Sequence, residues 1–232
     1  MVIFLAVGVP LLGRRRMRRL LQMPGTTKRD RLRLYLSTVL SQWFVVAVIF
    51  WRSKVHGVSI EQLGLELSHP RRTAVVSAAL AAVLVMNQVA GIRQLKPGSE
   101  EAAGTIPQLA LRIFPQDNGE RLAFLGVVLT VAFCEEVIYR GFLQSILAAA
   151  ARSLAIVGII GSAVLFGVAH LYQGRRGLLA TGILGILFSL VRSWTHTLLP
   201  VMVAHFAADL TVGLLAPIRL AAVAGMNQNQ PD

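Results

Sequence analysis

Three short stretches of an otherwise apolar sequence carry side chains able to do acid–base chemistry. Glu135, Glu136 and Arg140 lie close together among Val, Ala, Phe, Ile and Leu. His170 follows Phe166 by one helical turn, and Asp209 follows His205 by one turn, so each pair would share a helix face. A Glu on one helix and two His on others can hold a water through hydrogen bonds, or can ligate a divalent metal such as zinc that binds the water. Either arrangement gives a nucleophile for amide hydrolysis. Glu135, His170 and His205 would serve in both, as water-binding groups or as metal ligands. Asp209 and Glu136 do not obviously complete a metal shell, which favours the metal-free version.

Helical geometry divides the first cluster. At about 100° per residue, Glu136 and Arg140 are about 40° apart and one turn along the axis, the placement of an intrahelical ion pair. Glu135 lies about 140° around from Arg140 and lacks that partner. Glu136 and Arg140 are therefore expected to be structural, with Glu135 free to face a cavity as a general base. The alternative is a hydrophilic turn between two spans that puts all three at the membrane interface. Cys134 lies about 100° from Glu135 and has no evident activating base on its own face, so packing is its expected role.

The elements that would position these groups are membrane helices. The chain has 232 residues, 55% of them hydrophobic and only 15% charged, with a mean hydropathy of +0.63. The charges sit in blocks between long apolar runs, as a bilayer imposes. The fold class is all-α, a polytopic transmembrane bundle of six full spans that allows a short seventh at the N-terminus. Spans are expected over Leu32 to Trp51, Thr73 to Ile92, Arg121 to about Ala151, Ser153 to about Leu171, Gly177 to Arg192 and Thr197 to Ala216. Met1 to Leu12 is too short for a full span and reads as a truncated or interfacial segment, without the basic start of a cleavable signal.

The organisation follows. Residues 1–120 form an N-terminal membrane region with a basic segment (14–33) and a long loop (93–120). Residues 121–216 form a catalytic core, and residues 217–232 form a tail, disordered from Gly225. The loop holds Pro97, Gly98, Pro107 and Pro115, with a short interfacial helix expected near Leu109. The first full span, with Tyr35, Trp43 and Trp51, suggests no chemistry. His56, His69 and His196 read as loop or interfacial residues. Small residues at Gly158, Gly161, Ser162, Gly182, Gly185, Ala204 and Ala208 mark close helix packing.

The net charge of +12 is concentrated in Arg14 to Arg33, where nine basic residues accompany one acidic residue. A basic block beside apolar spans is an anchor to anionic lipid headgroups on the cytoplasmic side, not a nucleic-acid surface. Membrane lipid and a peptide or membrane-anchored protein substrate are the expected partners, with no nucleic acid. The expected location is a multi-pass protein of the cell membrane. With a single cysteine, no intrachain disulfide forms.

The run Glu135-Glu136-Val137-Ile138-Tyr139-Arg140-Gly141, then Phe166-x-x-x-His170, then His205-x-x-x-Asp209, resembles in order and spacing the motifs of the CPBP family of intramembrane proteases. That family includes the type II CAAX prenyl endopeptidases and the bacterial Abi proteins. The resemblance covers roughly Arg121 to Ala216. It implies an all-helical fold with a catalytic cavity inside the membrane, Glu135 as activating base, His170 holding the water, and His205 with Asp209 stabilising the oxyanion. The last position is often Asn in the family, and an Asp is a poor oxyanion donor unless protonated, so Asp209 is alternatively the partner that orients His205. Two rivals remain at this level. One is a proton-coupled transporter, against which stands the absence of proline between Pro115 and Pro200. The other is a non-catalytic scaffold or Abi-type bacteriocin self-immunity protein.

Overall fold

The computed structural model describes residues 2–67, 69–95 and 105–228, with side chains through residue 220. Among them there is no strand. A π-helical turn at Phe4–Gly8 leads into α1 (Val9–Gln22), followed by α2 (Lys28–Val55), α3 (Pro70–Gln94), α4 (Thr105–Ile113), α5 (Asn118–Ala150), α6 (Ala155–Ala169), α7 (Gly174–Thr195) and α8 (Leu199–Gln228).

Five helical stretches are long and apolar enough to cross a membrane: α2, α3, α5, α7 with the preceding turn from Leu171, and α8 to Leu220. The sixth expected span, α6, has only 15 residues and ends at His170. At about 1.5 Å per residue it falls short of the full hydrocarbon thickness, which brings its terminal histidine to the site from within the bundle. Of the most apolar window of α5, 56% is buried, against 33% or less in the other four spans. The motif-bearing helix is thus the core of the bundle, and α2, α6 and α8 pack around it. The outer faces expose Leu36, Leu40, Phe44, Val75, Met86 and Ile183, as a lipid-facing surface does.

Capping explains two of the boundaries. Thr27 and Asp30 form a reciprocal capping box at the start of α2, and the Asp117 carboxylate accepts the Glu120 N–H at 2.9 Å at the start of α5. These two helix starts lie side by side. Arg31 grips Glu120 through two bonds of 3.0 and 2.7 Å, and Lys28 meets Asp117 at 2.8 Å. Arg112 donates to the carbonyls of Leu20 and Met23, and Arg219 donates to that of Leu95 at 2.9 Å. All of these contacts lie on one side of the bundle, in keeping with a common side for the basic segment and the loop. On the opposite side Arg192 donates to the Gln62 carbonyl, Arg72 to that of Trp194, and the Leu198 N–H to that of Gly64.

The basic segment also takes part in the packing of the bundle. Arg31 is buried in an ion pair, and Arg16 bonds the Leu34 carbonyl and the Ser37 hydroxyl, while Arg14, Arg15, Arg18 and Arg19 are exposed. The segment before α1 is likewise not a loose surface piece, because Leu5 is 1% exposed and belongs to the same apolar cluster as Phe166 and Phe188. The short helix expected near Leu109 is present as α4. The tail expected to be disordered from Gly225 instead continues α8 through Pro217 to Gln228. Loop positions 96 to 104, including Pro97, Gly98 and Gly104, lie outside the described residues, as do positions 229 to 232.

Two features shape α5 where the chemistry sits. Its middle, Val137–Leu143, is π-helical. The Tyr139 carbonyl accepts the Gln144 N–H across this wide turn and also the Ser162 hydroxyl of α6 at 2.7 Å, so a neighbouring helix supports the irregular backbone. Gly141 sits against the 58–65 loop, and a Cβ there would come 2.9 Å from the Leu63 carbonyl oxygen. Gly158 of α6 crosses α5 so closely that a Cβ would stand 2.4 Å from the Gln144 oxygen.

Candidate active site

The turn alternative for the Glu-Glu-Arg cluster is ruled out. Asn118–Ala150 is one continuous helix, and Glu136 and Arg140 are both 0% exposed inside it. Arg140 Nη1 donates to Glu136 Oε1 at 3.2 Å, closing the intrahelical pair expected from the spacing even though the π turn separates the two residues. The same Oε1 also meets His205 Nδ1 of α8 at 2.7 Å. Glu136 is thus a clamp between α5 and α8 as well as the partner of Arg140, an arrangement helical-wheel geometry within a single helix has no means of giving.

Arg140 is held further by aromatic faces. Its guanidinium carbon lies 4.1 Å from the centroid of Phe166 and 5.3 Å from that of Phe188. Burying the charge is tolerable because a carboxylate and two π faces replace water. Among the described residues, Glu136 Oε2 and Arg140 Nε and Nη2 have no hydrogen-bond partner. The other nitrogen of His205, Nε2, lies 3.5 Å from Asp209 Oδ2. Asp209 is 43% exposed while the His205 ring is 7% exposed, so the pair runs from the core toward an accessible edge.

Phe166 separates the two histidines. It is 1% exposed, with ring centroids 4.6 Å from His170, 6.2 Å from His205 and 5.1 Å from Tyr139. His170 is half-buried at the end of α6, with Nδ1 2.8 Å from the Phe166 carbonyl oxygen. A carbonyl can only accept, so Nδ1 carries the proton, and in the neutral ring Nε2 is left as the acceptor.

Glu135 is half-buried and points to a different neighbour. Gln42 of α2 donates through Nε2 to Glu135 Oε1 at 3.0 Å, while Oε2 is buried without a partner among the described residues. The first full span, which by its sequence suggests no chemistry, therefore reaches one of the candidate site residues. Next to Gln42, Trp43 donates to Thr130 Oγ1 at 3.3 Å and stacks on Phe133 at 5.4 Å, locking α2 onto α5 one turn before Glu135. The one cue in the sequence is that Gln42 is the lone amide side chain in α2. Nothing in local spacing pairs it with a residue so far along the chain.

The other cysteine and histidine side chains lie apart from this cluster or pack behind it. Cys134 is fully buried in the main apolar cluster. His56 sits in an exposed loop beside Arg52, His69 precedes α3, and His196 adopts φ 60° at the end of α7. No three His, Cys, Asp or Glu side chains among the described residues converge as a metal shell requires. Nδ1 of His205 is taken by Glu136, and its Nε2 faces Asp209 at 3.5 Å.

Residues 117–211 match the family model described as Type II CAAX prenyl endopeptidase Rce1-like. No curated protein and no solved structure matches the chain. The matched stretch runs from the cap of α5 into α8 and contains all of Glu135, Glu136, Arg140, Phe166, His170, His205 and Asp209, while α1 to α4 lie outside it. The part of the chain that resembles this CAAX protease family is thus the stretch that carries the buried acid–base cluster.

Proposed function

We propose that the protein is an intramembrane endopeptidase in which Glu135 activates a water that attacks a peptide bond of a membrane-associated substrate. The observation that carries this reading is the unequal bonding of two adjacent carboxylates. Each keeps its Oε2 without a protein partner among the described residues, but Glu136 is fully buried and held through Oε1 by both Arg140 and His205, whereas Glu135 is half-buried and held through Oε1 by the neutral amide of Gln42. A base needs a lone pair available to the water, and a structural carboxylate does not.

In this reading His170 accepts or steadies the water through Nε2, its ring fixed by the Phe166 carbonyl. His205, oriented by Glu136, presents Nε2 toward the tetrahedral oxyanion. With Nδ1 donating to Glu136, Nε2 also bears an N–H in the imidazolium form that two facing carboxylates favour, and the 3.5 Å to Asp209, long for a hydrogen bond, leaves that N–H able to meet the developing charge while Asp209 stays close enough to orient the ring. This fits Asp209 better as an orienting group than as an oxyanion donor. Nothing in the site encodes a prenyl group, so the substrate class is a membrane-associated peptide, of which a CAAX-type terminus is one member.

The test is cleavage of a peptide library by purified protein beside Glu135→Gln, with a chelator arm. The expected outcome is a loss of about 100-fold or more in kcat for Glu135→Gln with the fold intact, and wild-type activity that survives chelation within about twofold. Activity that disappears with chelator and returns with zinc would instead make Glu135, His170 and His205 a ligand shell. A wild-type protein that cleaves no peptide would overturn the protease reading.

A further inference from the structure

We infer that Gln42, on a helix outside the family-matched stretch, is a positioning residue for the base. This rests on the reading of Glu135 given above. Only the nitrogen end of an amide can donate to a carboxylate, so the 3.0 Å contact fixes which end of Gln42 faces Glu135 and commits Oε1 of that carboxylate. The other oxygen, Oε2, is left buried and unbonded. A carboxylate on a three-bond side chain would otherwise sample several rotamers, and an N–H bond to one oxygen fixes the direction in which the other points.

Gln42 is itself held. Trp43 is keyed to Thr130 by a hydrogen bond and to Phe133 by stacking, and these are residues of the same helix that carries Glu135. Farther along the same pair of helices, Arg31 and Glu120 form a buried bidentate pair. The register of α2 on α5 is thereby fixed at both places, and Gln42 arrives opposite Glu135 as a consequence. Helix α2 thus supplies part of the site as well as membrane attachment.

The experiment compares Gln42→Met, which keeps length and volume but removes the donor, with Gln42→His, which restores an N–H at similar reach. In the peptide assay, Gln42→Met lowers kcat by about 10- to 100-fold with KM within about twofold, and Gln42→His recovers most of the loss. Thermal midpoints in detergent stay close to wild type for both. A second readout needs no turnover: labelling of buried carboxyls by dicyclohexylcarbodiimide, followed residue by residue by mass spectrometry. The Gln42 amide covers Glu135 Oε1, so Gln42→Met uncovers that oxygen and labels Glu135 several-fold faster, and Gln42→His reverses the change, with Glu136 unaltered in both. Unchanged Glu135 labelling in Gln42→Met overturns the inference whatever the activity. So does an altered KM at constant kcat, which would make Gln42 a substrate contact. Changed labelling in a protein whose wild type cleaves nothing would sink the protease reading while leaving the Gln42–Glu135 coupling standing.

Discussion

Two buried charge clusters lie on the same helix, α5, and they are built to opposite specifications. Near its start, Arg31 and Glu120 satisfy one another completely. Two guanidinium nitrogens reach the two carboxylate oxygens, the third goes to the Thr26 carbonyl, and the Gln116 N–H adds a further bond to Glu120 at 2.7 Å. In the middle, Glu136 and Arg140 share a single bond with each other, and several of their polar atoms, with Glu135 Oε2, are left without partners among the described residues. Saturated bonding suits a joint that only has to hold. Incomplete bonding at membrane depth carries a desolvation cost and persists where the groups have work to do on something else.

Substitutions that break one cluster at a time test the contrast. The largest effect is expected from Glu136→Gln, which leaves Arg140 buried without its carboxylate and frees His205. Stability should fall by about 3–5 kcal/mol, read as a lowered unfolding midpoint in detergent, with activity lost alongside. An unchanged midpoint would mean that Glu136 is not the clamp described here. Arg31→Met should cost less, about 1.5–3 kcal/mol, since Glu120 keeps the Gln116 N–H and sits in the first turn of its helix.

Exchanging both members of the outer pair sharpens the difference. Arg31→Met with Glu120→Leu should regain most of the lost stability and retain peptide cleavage, because a joint can be rebuilt from apolar contacts. The corresponding exchange of Glu136 and Arg140 can restore packing but must not restore cleavage. If both double variants remain active, the two clusters do not differ in role.

The smallest effect belongs to the exposed pair at the cap of α5. The Lys28 ammonium bonded to Asp117 holds that carboxyl below its ordinary value of 3.8, helped by the Glu120 N–H. A group whose folded value is depressed stabilises the fold above its ordinary value and loses that contribution as pH falls through the lowered one. The gap in midpoint between wild type and Asp117→Asn should therefore be small at pH 7 and close below about pH 3. A gap that widens in acid would contradict the pairing.

The same contrast separates what is legible in the residues from what is not. Span length and charge spacing suffice for a helical membrane bundle, and the four-residue separation of Glu136 and Arg140 suffices for their pair, because both depend on local helical geometry. The turn alternative for the same cluster fails because α5 runs unbroken through a π segment that no propensity scale marks. The short α6 is harder to foresee, since its apolar run continues to the histidine while the helix itself needs only to reach the core.

From the sequence alone come the candidate acid–base groups, the pairing of Glu136 with Arg140, and the membrane as their setting. These follow from residue type and from a periodicity that every helix shares. The tertiary structure alone decides that Glu136 also holds His205, that Phe166 stands between the two histidines, and that Gln42 reaches Glu135. Each of these joins residues from helices far apart in the chain, and the close approach depends on how small residues such as Gly141 and Gly158 let the backbones pack.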